Sequence, residues 1–492
     1  MKKFKKIVLR ILISLAALYL LLLIPDGADT ADMSKPAGKP FTWNRDDQWK
    51  EMEERFMQAR REPHAQTDSL LQTLRDTAEN ELQQLQENKY AAADSSWAQA
   101  ENNFFRLSAF VAVRPASLPW YTGYYTRFRN LLKQRSQQWN LDDKATRNSV
   151  YALSYGMRAA VEEVLLQQDT GHLPPAMPVK EEKSATPSTR IFGIEVHSGD
   201  LLVSRGGAEV SALISRGNDY PGNFSHVALV YVEEKTNKAW LIEAHIERGV
   251  AVSSVEQYEN DKKLRFMVLR LRSDLPALQA NPQLPQQAAA AMYQEALQHH
   301  IPYDFKMNFH DSTAMFCSEV ASYAYLKKGV KLWQSLSTIS SPGIINWLHV
   351  FGVENFVTQM PSDLEYDPQL SVVAEWWDPA TLYKDHIDNA VMDVLLEKAN
   401  SGERIGYNHW KLPLVRIVKG YCLLKNLFGK TGIIPEGMSA TQALKNQTFV
   451  AMHAGLRAKT IILADAFTRE QGYRPPYWQL VKLARQSAQE LN

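Results

Sequence analysis

Two cysteines, Cys317 and Cys422, stand in a chain of 492 residues. That number cannot build a disulfide scaffold or a four-thiolate zinc site, so each thiol needs its own explanation. Phe316-Cys317-Ser318-Glu319-Val320 opens an apolar helical pattern that runs to Lys328, with Gly329 as its stop. A cysteine at a helix N-terminus faces the positive end of the macrodipole, which favours the thiolate. Phe224-Ser225-His226-Val227-Ala228-Leu229-Val230 places a histidine at the start of an apolar strand. An imidazole within hydrogen-bond reach of a thiol makes a nucleophile–base pair for acyl transfer. The two residues are far apart in sequence, so only folding can join them. The competing readings are a cysteine packed in the core and a histidine with one structural hydrogen bond. Cys422 sits in apolar Val418–Leu424 and reads as core, and a Cys317–Cys422 bridge would abolish the nucleophile.

Other chemistries find no support. Gly429-Lys430-Thr431 resembles the end of a phosphate-binding loop, but the position of that pattern's first glycine is Leu424. No H-E-x-x-H, G-x-S-x-G or G-x-G-x-x-G occurs. His299 and His300 are adjacent, about 100° apart on a helix, and make poor co-ligands for a metal. No metal and no cofactor is expected. A net charge of +1, with 45% hydrophobic and 22% charged residues, excludes a wholly basic nucleic-acid binder and an acidic disordered chain.

The elements that must position these residues follow from periodicity. Leu201–Ser204, Val227–Val232, Ala239–Glu243 and Phe266–Leu271 read as strands. Pro285–His299 and Cys317–Lys328 read as helices. Strands followed by helices predict an α+β unit. Upstream, residues 33–170 read as a helical region, and Leu71, Leu74, Ala78, Leu82 and Leu85 form one apolar stripe. Residues 171–190, rich in proline and mixed polar residues, read as a linker. From about 386 to 492 helical patterns return, with Asp378 as a cap for a helix through Ala399 and an apolar face over Asn446–Thr468.

Residues 1–32 set the expected compartment. Lys2, Lys3, Lys5, Lys6 and Arg10 precede the apolar run Ile11–Ile24, and Asp26, Asp29 and Asp32 follow it. If Arg10 snorkels, the stretch from Ile7 spans about 27 Å as a helix, enough for a bilayer core. The basic flank predicts a single-pass inner-membrane anchor with the remainder in a bacterial periplasm. A cleaved signal is the rival, although no small-x-small site follows the run.

Five motifs in order resemble a known family: Gly199-Asp200-Leu201-Leu202, Ser225-His226-Val227-Ala228-Leu229-Val230, Leu241-Ile242-Glu243-Ala244, Tyr303-Asp304-Phe305 and Phe316-Cys317-Ser318-Glu319-Val320. This set resembles the circularly permuted papain-like hydrolases of the NlpC superfamily, the YaeF/YiiX-like group. Histidine precedes cysteine here, the reverse of ordinary papain-like chains. The match covers roughly 195–385 and departs from the pattern in spacing, with His310 between Tyr303 and Cys317. The resemblance implies a permuted papain-like domain over 191–385, with a small antiparallel sheet and a nucleophile helix.

Within that resemblance Cys317 is the expected nucleophile, His226 the base and Glu243 its orienter, with His245 a weaker rival. The Cys317 amide is expected to help hold the oxyanion, and Tyr303 and Ser225 are the further candidate substrate or oxyanion contacts. The expected function is a membrane-anchored cysteine hydrolase cleaving an amide, with peptidoglycan peptide the local substrate. Two alternatives stand beside it. One is a lipid thioesterase or acyltransferase using the same site. The other is a non-catalytic scaffold binding an envelope protein through its helical flanks.

Overall fold

The computed structural model describes residues 2–26, 38–43, 45–168, 176–333, 335–428, 430 and 432–491. A seven-stranded sheet runs in the order Ala176–Pro178, Leu370–Trp377, Lys263–Leu271, Leu201–Gly206, His226–Val232, Ala239–His245, Gly249–Ser254. Every neighbouring pair is antiparallel. The central strands are covered on both faces, so they read in sequence as continuous apolar runs. Leu201, Val203, Val227, Leu229 and Ile242 face a layer made by Cys317–Leu326 and Leu284–Gln298, against Val320, Ala321 and Ala288. Leu202, Ala228, Val230 and Leu241 face the other way, with Tyr258 and Phe266. This period-2 division is what the pleat imposes.

Gly199 enters the sheet with φ of 94°, and a Cβ there would lie 2.3 Å from Cβ of Pro285. Only glycine fits so close an approach. Asp200 then accepts two hydrogen bonds from Arg270 at 2.8 and 2.7 Å and one from the His197 amide at 2.8 Å. The Gly-Asp-Leu-Leu motif is therefore a structural lock on the first long strand.

The helical flanks pack onto this unit. Asp46–Ala59, His64–Glu87, Ser95–Val111, Leu118–Ser136 and Lys144–Leu166 share one core, in which Leu71, Ala78, Leu82 and Leu85 are buried. Pro379–Asn400, Ala440–Gln471 and Tyr477–Leu491 share another. Asp378 caps the first of these, accepting from the amides of Ala380 and Thr381. Buried ion pairs join the three regions: Arg129 with Glu375, Arg158 with Glu365, and Arg265 with both Glu162 and Asp385. Charges removed from water must be paired, so these contacts tie flanks and sheet together.

Three expectations differ from what is seen. The stretch expected as linker supplies an edge strand at Ala176–Pro178 and a hairpin strand at Ser188–Ile191. Proline is tolerated there because an edge strand has an unused side. Residues 171–175 of that stretch lie outside the described residues. The boundary expected at 385/386 falls inside the single helix Pro379–Asn400. At the N-terminus the helix is Lys2–Leu22, ending before Pro25, so the apolar part from Ile7 covers only about 24 Å. Among the described residues no helix is long and apolar enough to cross a membrane. Asp29 and Asp32, and Gly429 and Thr431, lie outside the described residues.

Candidate active site

His226 is the first residue of its strand and Glu243 lies one strand over, where its neighbour across the ladder is Ala228. Strand alternation puts both side chains on one face, with His245 two residues beyond Glu243. His226 Nε2 donates to Glu243 Oε2 at 2.9 Å, and His245 Nε2 approaches Oε1 at 3.5 Å. The two imidazole centroids are 5.5 Å apart. Glu243 is almost wholly buried, and burial by itself raises its pKa. Hydrogen bonds and positive charge from His226 and His245 outweigh that and hold the carboxyl well below the usual carboxylate range. It is a fixed anion between two rings. Among the described residues nothing hydrogen-bonds to Nδ1 of His226, and the side chain is 21% exposed.

Cys317 is the first residue of Cys317–Leu326 and is buried. Glu319 closes the helix start by accepting from the Phe316 amide at 2.9 Å, and burial pushes its carboxyl up to about 9. Cys317 Sγ donates to the Ser225 carbonyl at 3.6 Å. Burial pushes the thiol up to about 12, against amides of Val227, Ser318 and Cys317 itself, which favour the anion. The thiolate expected from the helix end is therefore corrected to a resting thiol: desolvation exceeds what the helix terminus returns.

No hydrogen bond joins Cys317 Sγ to His226. The Cys317 helix packs on the sheet face of Val227 and Leu229, whereas His226 shares the face of Ala228. The sulfur thus meets the backbone on either side of His226, at Ser225 and Val227, before it meets the imidazole. Ser225 contributes its carbonyl; its hydroxyl is buried and, among the described residues, without a hydrogen bond. Tyr303 is held beside the nucleophile by a bridge to Met315. Burial raises its hydroxyl well above the ordinary phenol range, with Cys317 the next contributor. Asp304 organises the following loop, accepting from the amides of Lys306 and Asn308 at 2.8 and 2.6 Å. Cys422 packs with Ile434 and Met438, and both thiols are free. The amides of Val227 and Ser318 were not singled out from sequence, because a backbone donor has no side-chain signature.

His226, Glu243 and His245 each present one ligand-type atom, all within 4.8 Å of one another. Two imidazoles and a carboxylate are a zinc-type donor set, so these residues could also hold a divalent cation.

Residues 195–374 match the model of the family described as "Permuted papain-like amidase enzyme, YaeF/YiiX, C92 family". That central segment is thus of the permuted papain-like amidase type, a hydrolase domain between helical flanks. No curated protein matches the chain. Among solved structures, that of the metalloprotein yiiX from Escherichia coli O157:H7 is similar at 22% identity over 37% of this chain and 97% of its own, with a TM-score of 0.30.

Proposed function

We propose that this chain, with its permuted papain-like amidase domain over 195–374, is a cysteine hydrolase that cleaves an amide through Cys317, His226 and Glu243. The observation that carries the reading is the 2.9 Å contact between His226 Nε2 and buried Glu243, which leaves Nδ1 without a hydrogen bond among the described residues, on a histidine flanked by backbone that touches Cys317. His226 Nδ1 takes the thiol proton as sulfur attacks the substrate carbonyl. Glu243 steadies the imidazolium so formed. Because the thiol rests protonated and unbonded to the ring, with the Cys317 helix on the opposite sheet face, this step requires the His226 ring to reach sulfur in the substrate complex. The Cys317 amide and the Tyr303 hydroxyl are the donors for the oxyanion. Collapse returns the proton from His226 to the leaving amine and leaves a thioester on Cys317. Water then attacks the thioester, His226 again accepting the proton, and the acid product and free thiol result.

Attachment to a bacterial inner membrane through the basic, apolar Lys2–Leu22 helix, with the catalytic domain in the periplasm, completes the proposal. Peptidoglycan peptide is then the accessible amide substrate. A second reading rests on the His226–Glu243–His245 cluster: a bound divalent cation, with hydrolysis dependent on it.

The test is adduct mass spectrometry with electrophilic peptide and lipid probes. A peptide probe should add to Cys317 in the metal-free protein, and Cys317→Ser should remove the adduct. A lipid probe adding in its place would favour the acyl-lipid reading. No adduct, with hydrolysis restored by zinc and abolished by chelator, would refute the thiol mechanism.

A further inference from the structure

Along the helix Leu412–Leu427 and its flanks, Trp410, Leu414, Ile417, Tyr421, Leu424 and Phe428 recur at steps of three and four residues. That spacing puts six large apolar side chains on one face. All six are solvent-exposed, from 56% for Leu424 to 79% for Phe428. The helix already has a core-facing side: Leu412 packs with Ala440 and Leu444, and Cys422 with Ile434 and Met438. The stripe is therefore a second apolar face, and among the described residues nothing covers it. So continuous a patch on a folded surface marks a contact with something apolar.

Two observations identify the occupant. The first is charge. From Arg404 to Pro435 the chain carries six cations and no acidic residue. Arg416 is held by Asp26 at 2.6 Å, and Lys419 donates to the carbonyls of Pro435 and Glu436. Of the other four, Arg404, Lys411 and Lys430 are exposed and Lys425 is half-buried. An apolar stripe with aromatic ends and a border in which cations outnumber the acidic Asp26, Glu403 and Glu436 fits the interface of an anionic phospholipid bilayer. The second is continuity. The Tyr19 hydroxyl donates to the Trp410 carbonyl at 3.0 Å, and Arg416 reaches the Ile24 carbonyl. Asp26 also accepts from the amide and hydroxyl of Thr441, which fixes the end of the N-terminal helix to this corner. The apolar residues of Lys2–Leu22 are themselves exposed along its length.

We propose that the Trp410–Phe428 stripe lies in the plane of an anionic membrane surface, forming with the N-terminal helix a two-part lipid contact. The inference rests on the membrane attachment proposed above and adds a second, in-plane surface. Phe305 packs against Gly437 in the segment that follows this helix, so the same corner is fastened to the loop carrying Tyr303.

The experiment is hydrogen–deuterium exchange by mass spectrometry on the full chain, with and without phosphatidylglycerol–phosphatidylethanolamine vesicles, beside vesicle co-sedimentation. Vesicles should slow exchange over 410–428 as well as over 2–22. Leu414→Asn, Ile417→Asn and Leu424→Asn together should weaken sedimentation by about tenfold or more. Lys411→Glu, Lys425→Glu and Lys430→Glu together should remove the preference for phosphatidylglycerol over phosphatidylcholine vesicles. Protection of 2–22 with none over 410–428 overturns this inference and leaves attachment by the N-terminal helix standing. Protection of 410–428 without vesicles, with a dimer mass in light scattering, makes the stripe an interface between copies and also overturns it. A chain that never sediments overturns both proposals and leaves the thiol chemistry untouched.

Discussion

Glu243→Gln removes one charge while keeping the side chain's shape, and the site geometry sets what that should cost. The carboxylate lies 2.9 Å from His226 Nε2, with only 3% of the side chain exposed. A unit charge about 4 Å away at an effective dielectric of about 20 stabilises an imidazolium by roughly 4 kcal/mol. His226 is 21% exposed and His245 shares the same anion, which lowers the effect on His226. A loss of about 2 to 4 kcal/mol in the transition state corresponds to a rate roughly 30- to 1000-fold slower. The loss should fall on kcat, because the Glu243 charge matters most where the thiol proton passes to His226. The assay is stopped-flow acylation by 4-nitrophenyl acetate near neutral pH. Glu243→Asp, which keeps the charge, should lose less. Acylation by Glu243→Gln within about threefold of the parent, with thermal unfolding unchanged, would refute the assignment of Glu243 as the charge behind the base.

Three further outcomes follow from the same structure. With its thiol pushed up to about 12, Cys317 should react slowly with iodoacetamide near neutrality and speed up steadily with rising pH; a plateau below neutrality would show a preformed thiolate–imidazolium pair. Burial lowers His453 to about 4 in the folded state, so the unfolded chain binds the proton first as pH falls. Stability should therefore drop by about 3 kcal/mol between the unfolded value near 6.5 and 4, and urea titrations of His453→Leu should show that slope removed. Asp385 sits between Arg205 and Arg265 at 3.2 and 2.6 Å, all three buried, so Asp385→Ala should destabilise the chain by about 3–5 kcal/mol in urea unfolding, and Arg205→Met in the same chain should restore part of it.

How much of this was legible depends on the range of the forces involved. Strand and helix identity near the site is local. Val227–Val232 and Ala239–Glu243 alternate or run apolar, and Cys317 opens a helix stopped near Gly329, so these elements could be read within a residue or two. The order of five short motifs carried the fold type, because each records a local need: a positive φ at Gly199, a cap at Glu319, a loop anchor at Asp304. The Leu370–Trp377 strand went unread, since its pairing with Lys263–Leu271 joins segments a hundred residues apart and leaves no local mark.

The site divides along the same line. Residue type and placement on an element singled out Cys317, His226 and Glu243 as candidates. The sequence by itself determined that they would stand at a helix start, a strand start and mid-strand. Only the tertiary structure decided that Glu243 lies between two histidines, and that the Cys317 helix takes the sheet face opposite His226. It alone decided that the thiol rests protonated. Burial depth is a property of everything packed around a residue, and for Cys317 it exceeds the helix-end field that the sequence could show.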